Sequence, residues 1–134
     1  MFDLSFLLKT FFLLWKAVPT TLLITAVALV VGSVLGFLIA LSRIHRTKVL
    51  NQISAAYVSF IRGTPVVLQI LVVYSLVPSL LNAWVKKSGS TFDVFSLNPI
   101  WYAFIVFSLN TAATLSEVFR SALLTINKGQ LEAG

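Results

Sequence analysis

Cysteine is absent from the 134 residues, which excludes disulfides, thiolate nucleophiles and cysteine-based metal sites. Charge is scarce as well. Ten Lys and Arg with four Asp and Glu make up 10% of the chain, against about 25% in an ordinary soluble domain. So few charges cannot cover the surface of a soluble domain of this size. Disorder is excluded from the other side, because it needs low hydrophobicity, whereas 58% of these residues are hydrophobic and the mean hydropathy is +0.97. Chemistry-bearing clusters are missing too. The single histidine, His45, stands between Ile44 and Arg46 with no second ligand nearby and reads as a solvated loop residue rather than a zinc ligand. Asp3, Asp93, Glu117 and Glu132 are separated by apolar runs, so no paired-carboxylate mechanism is supported. The glycines form no phosphate-cradling GxxxxGK loop. The chain is therefore not expected to be an enzyme, to hydrolyse ATP itself, or to hold a metal or cofactor.

The net charge of +6 does not make this a nucleic-acid binder. Its bases stand singly or in small clusters between apolar runs, without the dense stripe that a phosphate backbone requires. They read better as topology signals at a bilayer surface.

What the chain has is long stretches without charge. They run over Ala17–Ser42, Gly63–Val85 and Val94–Ser116. A helix rising about 1.5 Å per residue needs about 20 residues to cross about 30 Å of hydrocarbon, and each stretch is long enough. Backbone polar groups in lipid must be satisfied within the protein, so the stretches read as helices, and their continuous apolar pattern is unlike the alternation of a β-barrel. The expected fold is an all-α membrane protein with three transmembrane helices at about residues 18–42, 58–81 and 98–124. Pro65 fits either an early turn of the second span or a local break just after Gly63. Residues 82–97, with Lys86, Lys87, Ser88, Gly89 and Asp93, are expected to form an exposed loop. Residues 1–17 carry Lys9 and Lys16 on one helical face among Phe and Leu. They read as an interfacial lead-in to the first span rather than a cleaved signal, because no basic region precedes Asp3.

Three spans place Arg43, Arg46, Lys48, Arg62, Arg120 and Lys128 on one side and Lys9, Lys16, Lys86 and Lys87 on the other. The positive-inside bias then puts the carboxyl end in the cytoplasm and the amino end outside. Within the spans, Ala28, Gly32, Gly36 and Ala40 recur every four residues and form a small-residue packing face. Ser108, Ala112 and Ser116 repeat the theme in the third span. Gln69, Asn110, Thr111, Thr114 and Glu117 are polar groups at membrane depth, which usually face protein or water. Glu117 and Arg120 are three apart and can pair along a helix. Glu117 is open to two readings, a structural partner near the cytoplasmic boundary or a gate on a path. Arg62 is open to two as well, a topology anchor or an internal charge on that path.

Two segments carry a resemblance. SFIRGTPVVLQILVVY, residues 59–74, resembles the R-G-T-P-x-x-x-Q stretch of polar amino-acid ABC transporter permeases. SLNTAATLSEVFRSALLTINKGQLEAG, residues 108–134, resembles the same family's run into its cytoplasmic coupling loop, and Pro19-Thr20-Thr21-Leu22 resembles the start of its first conserved span. The resemblance covers essentially residues 15–134 and implies the first three-fifths of a five-span core. It assigns Lys128, Gly129, Gln130, Glu132, Ala133 and Gly134 to the start of the coupling loop at 127–134, although Gly134 stands where the family commonly has Ala. Arg62, Thr64, Gln69, Thr111 and Glu117 become candidates for the translocation path or its gate.

The function implied is that of a permease subunit in the bacterial cytoplasmic (inner) membrane, moving polar amino acids by alternating access. Its implied partners are an ATP-binding cassette ATPase dimer, a second permease subunit of the same or a related kind, and an extracytoplasmic solute-binding protein. A non-transporting membrane assembly or anchoring protein is the alternative. It explains the composition and the small-residue faces but not the paired motifs.

Overall fold

A computed structural model describes residues 2–45, 47–126 and 133. The helices follow in the order α1 (Leu4–Lys16), α2 (Val18–Ile44), α3 (Lys48–Gly63), α4 (Val66–Lys87) and α5 (Ile100–Leu124), with a 3-10 turn at Val94–Ser96 before α5. Among the described residues there is no strand. Three helical stretches are long and apolar enough to cross a bilayer, namely Leu4–Ile44, Val66–Lys87 and Ile100–Leu124. The chain is an all-α membrane protein.

Asp3 starts α1 by accepting the backbone N–H of Ser5 at 3.1 Å and of Phe6 at 3.4 Å. Pro19 then leaves the carbonyl of Trp15 without its i+4 donor, and the ladder tightens locally, Ala17 N–H reaching the carbonyl of Leu14 at 3.0 Å. Ala17 keeps helical angles (φ −82°, ψ −14°), so α1 leads into α2 with only this local change. At the far end of α4, Gly89 takes φ +75°. Its N–H bonds the carbonyl of Lys86, and that of Ser90 bonds Val85, both at 3.2 Å. This is a glycine-closed C-terminus, with Lys86 and Lys87 in a last turn whose exposed carbonyls favour cations. Helix therefore continues to Lys87, through the first part of the stretch expected as loop. Asn98 opens α5 by accepting the N–H of Ile100 at 3.1 Å.

The core is the contact between α2 and α5. The buried residues of α2 are Ala28, Gly32, Gly36 and Ala40, and they meet Ser108, Ala112, Ala113 and Ser116, all buried on α5. A Cβ on Gly32 would lie 2.7 Å from Cβ of Thr111, and one on Gly36 would lie 2.9 Å from the carbonyl oxygen of Ala112. Phe37 meets Phe119 edge-on, ring centroids 5.8 Å apart. Contacts advance together along both helices, so α2 and α5 run in the same direction.

The expected second span, 58–81, is two helices instead of one. α3 turns back from the end of α2, with the hydroxyls of Ser42 and Ser54 3.2 Å apart. It rises along α5 until the Tyr57 hydroxyl donates to the carbonyl of Leu109. The helix then breaks. Pro65 disfavours a helical residue before it, and Thr64 is extended at φ −115°, ψ 142°. α4 begins at Val66 and rests lightly on α5 and the 3-10 turn, with Pro78 as its buried residue and Tyr74 edge-on to Tyr102, ring centroids 5.5 Å apart.

Two outcomes follow. Gly36→Ala and Gly32→Ala should each lower stability by about 1–3 kcal/mol, because backbone or a Cβ must shift to admit the methyl. Gly63→Ala, which meets nothing within 4 Å, should be neutral or slightly stabilising; thermal unfolding in one detergent compares the three. At the amino end, the Ser5 hydroxyl and then the Phe6 N–H hold the Asp3 carboxyl below its usual range. The stabilisation of α1 by this cap is present above the ordinary carboxylate range and lost as pH falls through the lowered value. Amide-exchange protection at Ser5 and Phe6 should fall there, and at neutral pH in Asp3→Ala.

Candidate functional site

Two polar constellations lie among the helices. The first closes the α3–α4 break. A helix running on through residue 65 would satisfy the carbonyl of Ile61 with the N–H of that residue, which proline lacks. Gln69, in the first turn of α4, supplies the donor instead. Its Nε2 stands 2.9 Å from the Ile61 carbonyl oxygen, 2.8 Å from Oγ1 of Thr64 and 3.2 Å from the Thr64 carbonyl oxygen. The Thr64 hydroxyl donates in turn to the Phe60 carbonyl at 2.9 Å. On its other side, Oε1 of Gln69 accepts from Nδ2 of Asn110 at 3.2 Å. Each partner is half-buried or exposed at a level where hydrocarbon offers no substitute donor. Asn110 is the eleventh residue of the 25 in α5, so the break lies near mid-span.

The second constellation ties the ends of α2 and α5. Glu117 is held between two guanidinium groups. Nη1 of Arg43 bonds its Oε1, and Nη2 of Arg120 bonds its Oε2 at 3.2 Å. The side chains are 16%, 21% and 34% exposed for Arg43, Glu117 and Arg120. Partial burial makes this clamp stronger than a surface pair, and loss of one member leaves charge without compensation.

The residues singled out in the sequence fall as follows. Gln69 and Thr64 share the break, and Glu117 sits in the clamp with Arg120. Thr111 is half-buried against Gly32. It also lines a groove of about 410 Å³ with Thr21, Ile24, Thr25, Ala28, Leu29 and Phe107. Arg62, counted above with the cytoplasmic bases, follows Ile61 in the last turn of α3. It therefore stands beside the break near mid-span, with its side chain exposed. Ala133 is exposed. Lys128, Gly129, Gln130, Glu132 and Gly134 lie outside the described residues.

Sequence reasoning missed Arg43 as the partner of Glu117 and Asn110 as the partner of Gln69. The first was within reach. Arg43 follows Gly36 by seven and Ala40 by three, which continues the small-residue face to the helix end. The second depends on how far α4 slides along α5, which no local pattern encodes.

Irregular backbone at membrane depth is tolerated where it is buried in protein or lines a water-filled cavity, and here a polar staple closes it. Comparison with known proteins gives the class. Residues 32–134 match the family described as binding-protein-dependent transport system inner membrane component, and the chain belongs to that family. It is 34% identical over 115 residues to the L-cystine transport system permease protein of Bacillus subtilis, covering 86% of this chain and 46% of that one. The arginine transport system permease protein of the same organism is 35% identical over 118 residues, 88% of this chain and 48% of the relative. The octopine transport system permease protein of Rhizobium radiobacter is 33% identical over 135 residues, with coverage of 98% and 52%. The chain thus spans about half the length of the curated relatives it matches. A crystal structure of an amino acid ABC transporter with histidines superposes with a TM-score of 0.74 at 23% identity, covering 99% of this chain and 56% of that one. The fold is shared.

The clamp is tested by a double-mutant cycle of Arg43→Ala and Glu117→Ala. The expected coupling is about 1–3 kcal/mol, read from unfolding midpoints; strictly additive losses would show that the two side chains do not interact.

Proposed function

We propose that this chain forms the membrane path of an ATP-driven importer of polar amino acids, working by alternating access with ATP hydrolysed on a partner subunit. The observation that carries this reading is the interruption near mid-span with Arg62 exposed beside it. A charge facing lipid at mid-depth costs about 2.5–3.5 kcal/mol even on an insertion scale. An exposed guanidinium there is accounted for by a wet or protein-lined path. An amino-acid zwitterion crossing a low-dielectric zone also needs partners for both its charges, and this reading assigns Arg62, Thr64, Thr111 and Glu117 to the path or its gate, with Gln69 holding the break beside it. An anchoring protein needs neither a broken span nor a cation at that depth.

Within this reading the path is completed by a second permease subunit, an extracytoplasmic solute-binding protein delivers the amino acid, and an ATPase dimer lies on the cytoplasmic side. The carboxyl-terminal stretch 127–134, with Lys128, Gly129, Gln130, Glu132, Ala133 and Gly134, begins the segment that seats in the ATPase. It follows α5 directly, so a displacement there is delivered to α5 and, through the Glu117 clamp, to α2. The bases Arg43, Arg46, Lys48, Arg120 and Lys128 favour this end in the cytoplasm and the amino end outside. The lead-in α1, apolar with Lys9 and Lys16 on one face, then extends α2 on the outer side.

Uptake of labelled amino acids by the complete permease, reconstituted with its ATPase and binding protein, tests the reading. Glu132→Lys should abolish ATP-driven uptake while membrane insertion is retained. Undiminished uptake in that variant would remove the coupling role from residues 127–134.

A further inference from the structure

We infer that Gln69 is a positioning residue, which holds the shape of the interrupted span and links it to α5 without contacting the transported solute. The inference rests on the permease reading and deepens it. The first support is a count of hydrogen-bond capacity. The amide nitrogen has two hydrogens, and three acceptors stand within 3.2 Å of it: the Ile61 carbonyl, the Thr64 carbonyl and the Thr64 hydroxyl. Both hydrogens are committed. The amide oxygen already accepts from Asn110 at 3.2 Å. A solute that took a hydrogen bond from the amide nitrogen would have to strip the donor from the carbonyl that Pro65 leaves open, in surroundings without a replacement.

The second support is connectivity. Among the described residues, the Asn110–Gln69 bond is the one hydrogen bond between α4 and α5. The other contacts between these helices include the edge-on approach of Tyr74 to Tyr102 and are apolar beside Ile70, and apolar surfaces slide more readily than an amide pair. A shift of α5 reaches α3 through the Tyr57 hydroxyl and α4 through Gln69, and of these two side chains Gln69 is the one whose other end closes the break. Gln69 sets the angle between α3 and α4 according to where α5 stands.

Two readouts test this. The first needs no transport. These 134 residues contain no cysteine, so Ser59→Cys on α3 and Ser75→Cys on α4 place spin labels on either side of the break at exposed positions. Gln69→Leu should broaden the distance distribution between the labels in the reconstituted permease. An unchanged distribution would overturn the inference. The second readout is the concentration dependence of uptake by the assembled transporter. Gln69→Leu should lower the maximal rate about tenfold or more, with KM and the order of preference among amino acids unchanged, as expected when an interaction outside the solute site is removed. A raised KM or altered preference at an unchanged maximal rate would show that Gln69 touches the solute. Should Gln69→Leu fail to assemble, Thr64→Val removes the hydroxyl that the amide shares and should lower the rate in the same direction, while Thr64→Ser restores it. Wild-type behaviour in Thr64→Val would then overturn the inference. A wild-type complex that takes up no amino acid would sink the permease reading itself, an outcome separate from the spin-label result.

Discussion

In hydrocarbon two helices gain nothing by hiding apolar side chains from each other, since lipid tails are equally apolar. Contact between α2 and α5 has to be won by distance. Gly32 and Gly36 remove the side chains that would hold the helices apart, and the space left is so small that a single Cβ would meet Thr111 or the backbone of Ala112. At that separation many weak dispersion contacts accumulate between the two backbones. The rest of the described fold is built on this pair: α3 rises along it, α4 leans on it, and α5 carries the chain from it toward residues 127–134.

Close packing in the middle determines where the polar groups can be. A guanidinium has no room between Gly36 and Ala112, so charge is displaced to the end of the shared face, where Arg43, Glu117 and Arg120 collect. There the helix ends approach water and the cost of holding ions falls, while burial is still sufficient to make the pairing more than a surface ion pair. At mid-depth only neutral amides and hydroxyls are used. Gln69, Thr64 and Asn110 satisfy the broken backbone without introducing a charge into the staple, which would be costly in that setting. Arg62 stands apart from this economy, since it is charged, exposed and near mid-span.

Much of this was legible in the sequence because the controlling quantities are local. The three charge-free stretches marked the apolar spans, since length against bilayer thickness needs no tertiary information. The four-residue recurrence from Ala28 to Ala40 marked a helix face, since a helix carries its own period. Pro65 marked a break as one of two options, but whether a helix survives a proline depends on what else can serve the Ile61 carbonyl, and Gln69 lies four residues further on. The end of α4 was misjudged because Lys86 and Lys87 look like loop residues, while at a helix C-terminus they complement the last carbonyls. Arg62 was open between a topology charge and an internal one because a count along a line does not separate the two, and α3 folds back and carries it up beside α5. The Arg43–Glu117 and Gln69–Asn110 pairs are 74 and 41 residues apart, and only the relative placement of the helices brings them together.

The described helices are unequally joined, and this inequality is itself a mechanical statement. α2 and α5 are locked by interdigitated backbones along much of their length and by the Glu117 clamp at one end, so they move as one piece. α4 is held by an amide pair, a ring edge and the packing of Pro78, and is joined to α3 through two extended residues, Thr64 and Pro65. Packed interfaces in proteins switch between discrete arrangements rather than deform evenly, and the switch occurs where fewest contacts must be exchanged. In this chain every helix seam other than α2–α5 is light, the α4–α5 seam among them. A displacement of α5 therefore reaches a rigid pair first and a light seam second. Light attachment of α4 lets α4 and α5 part without unfolding the core that carries them.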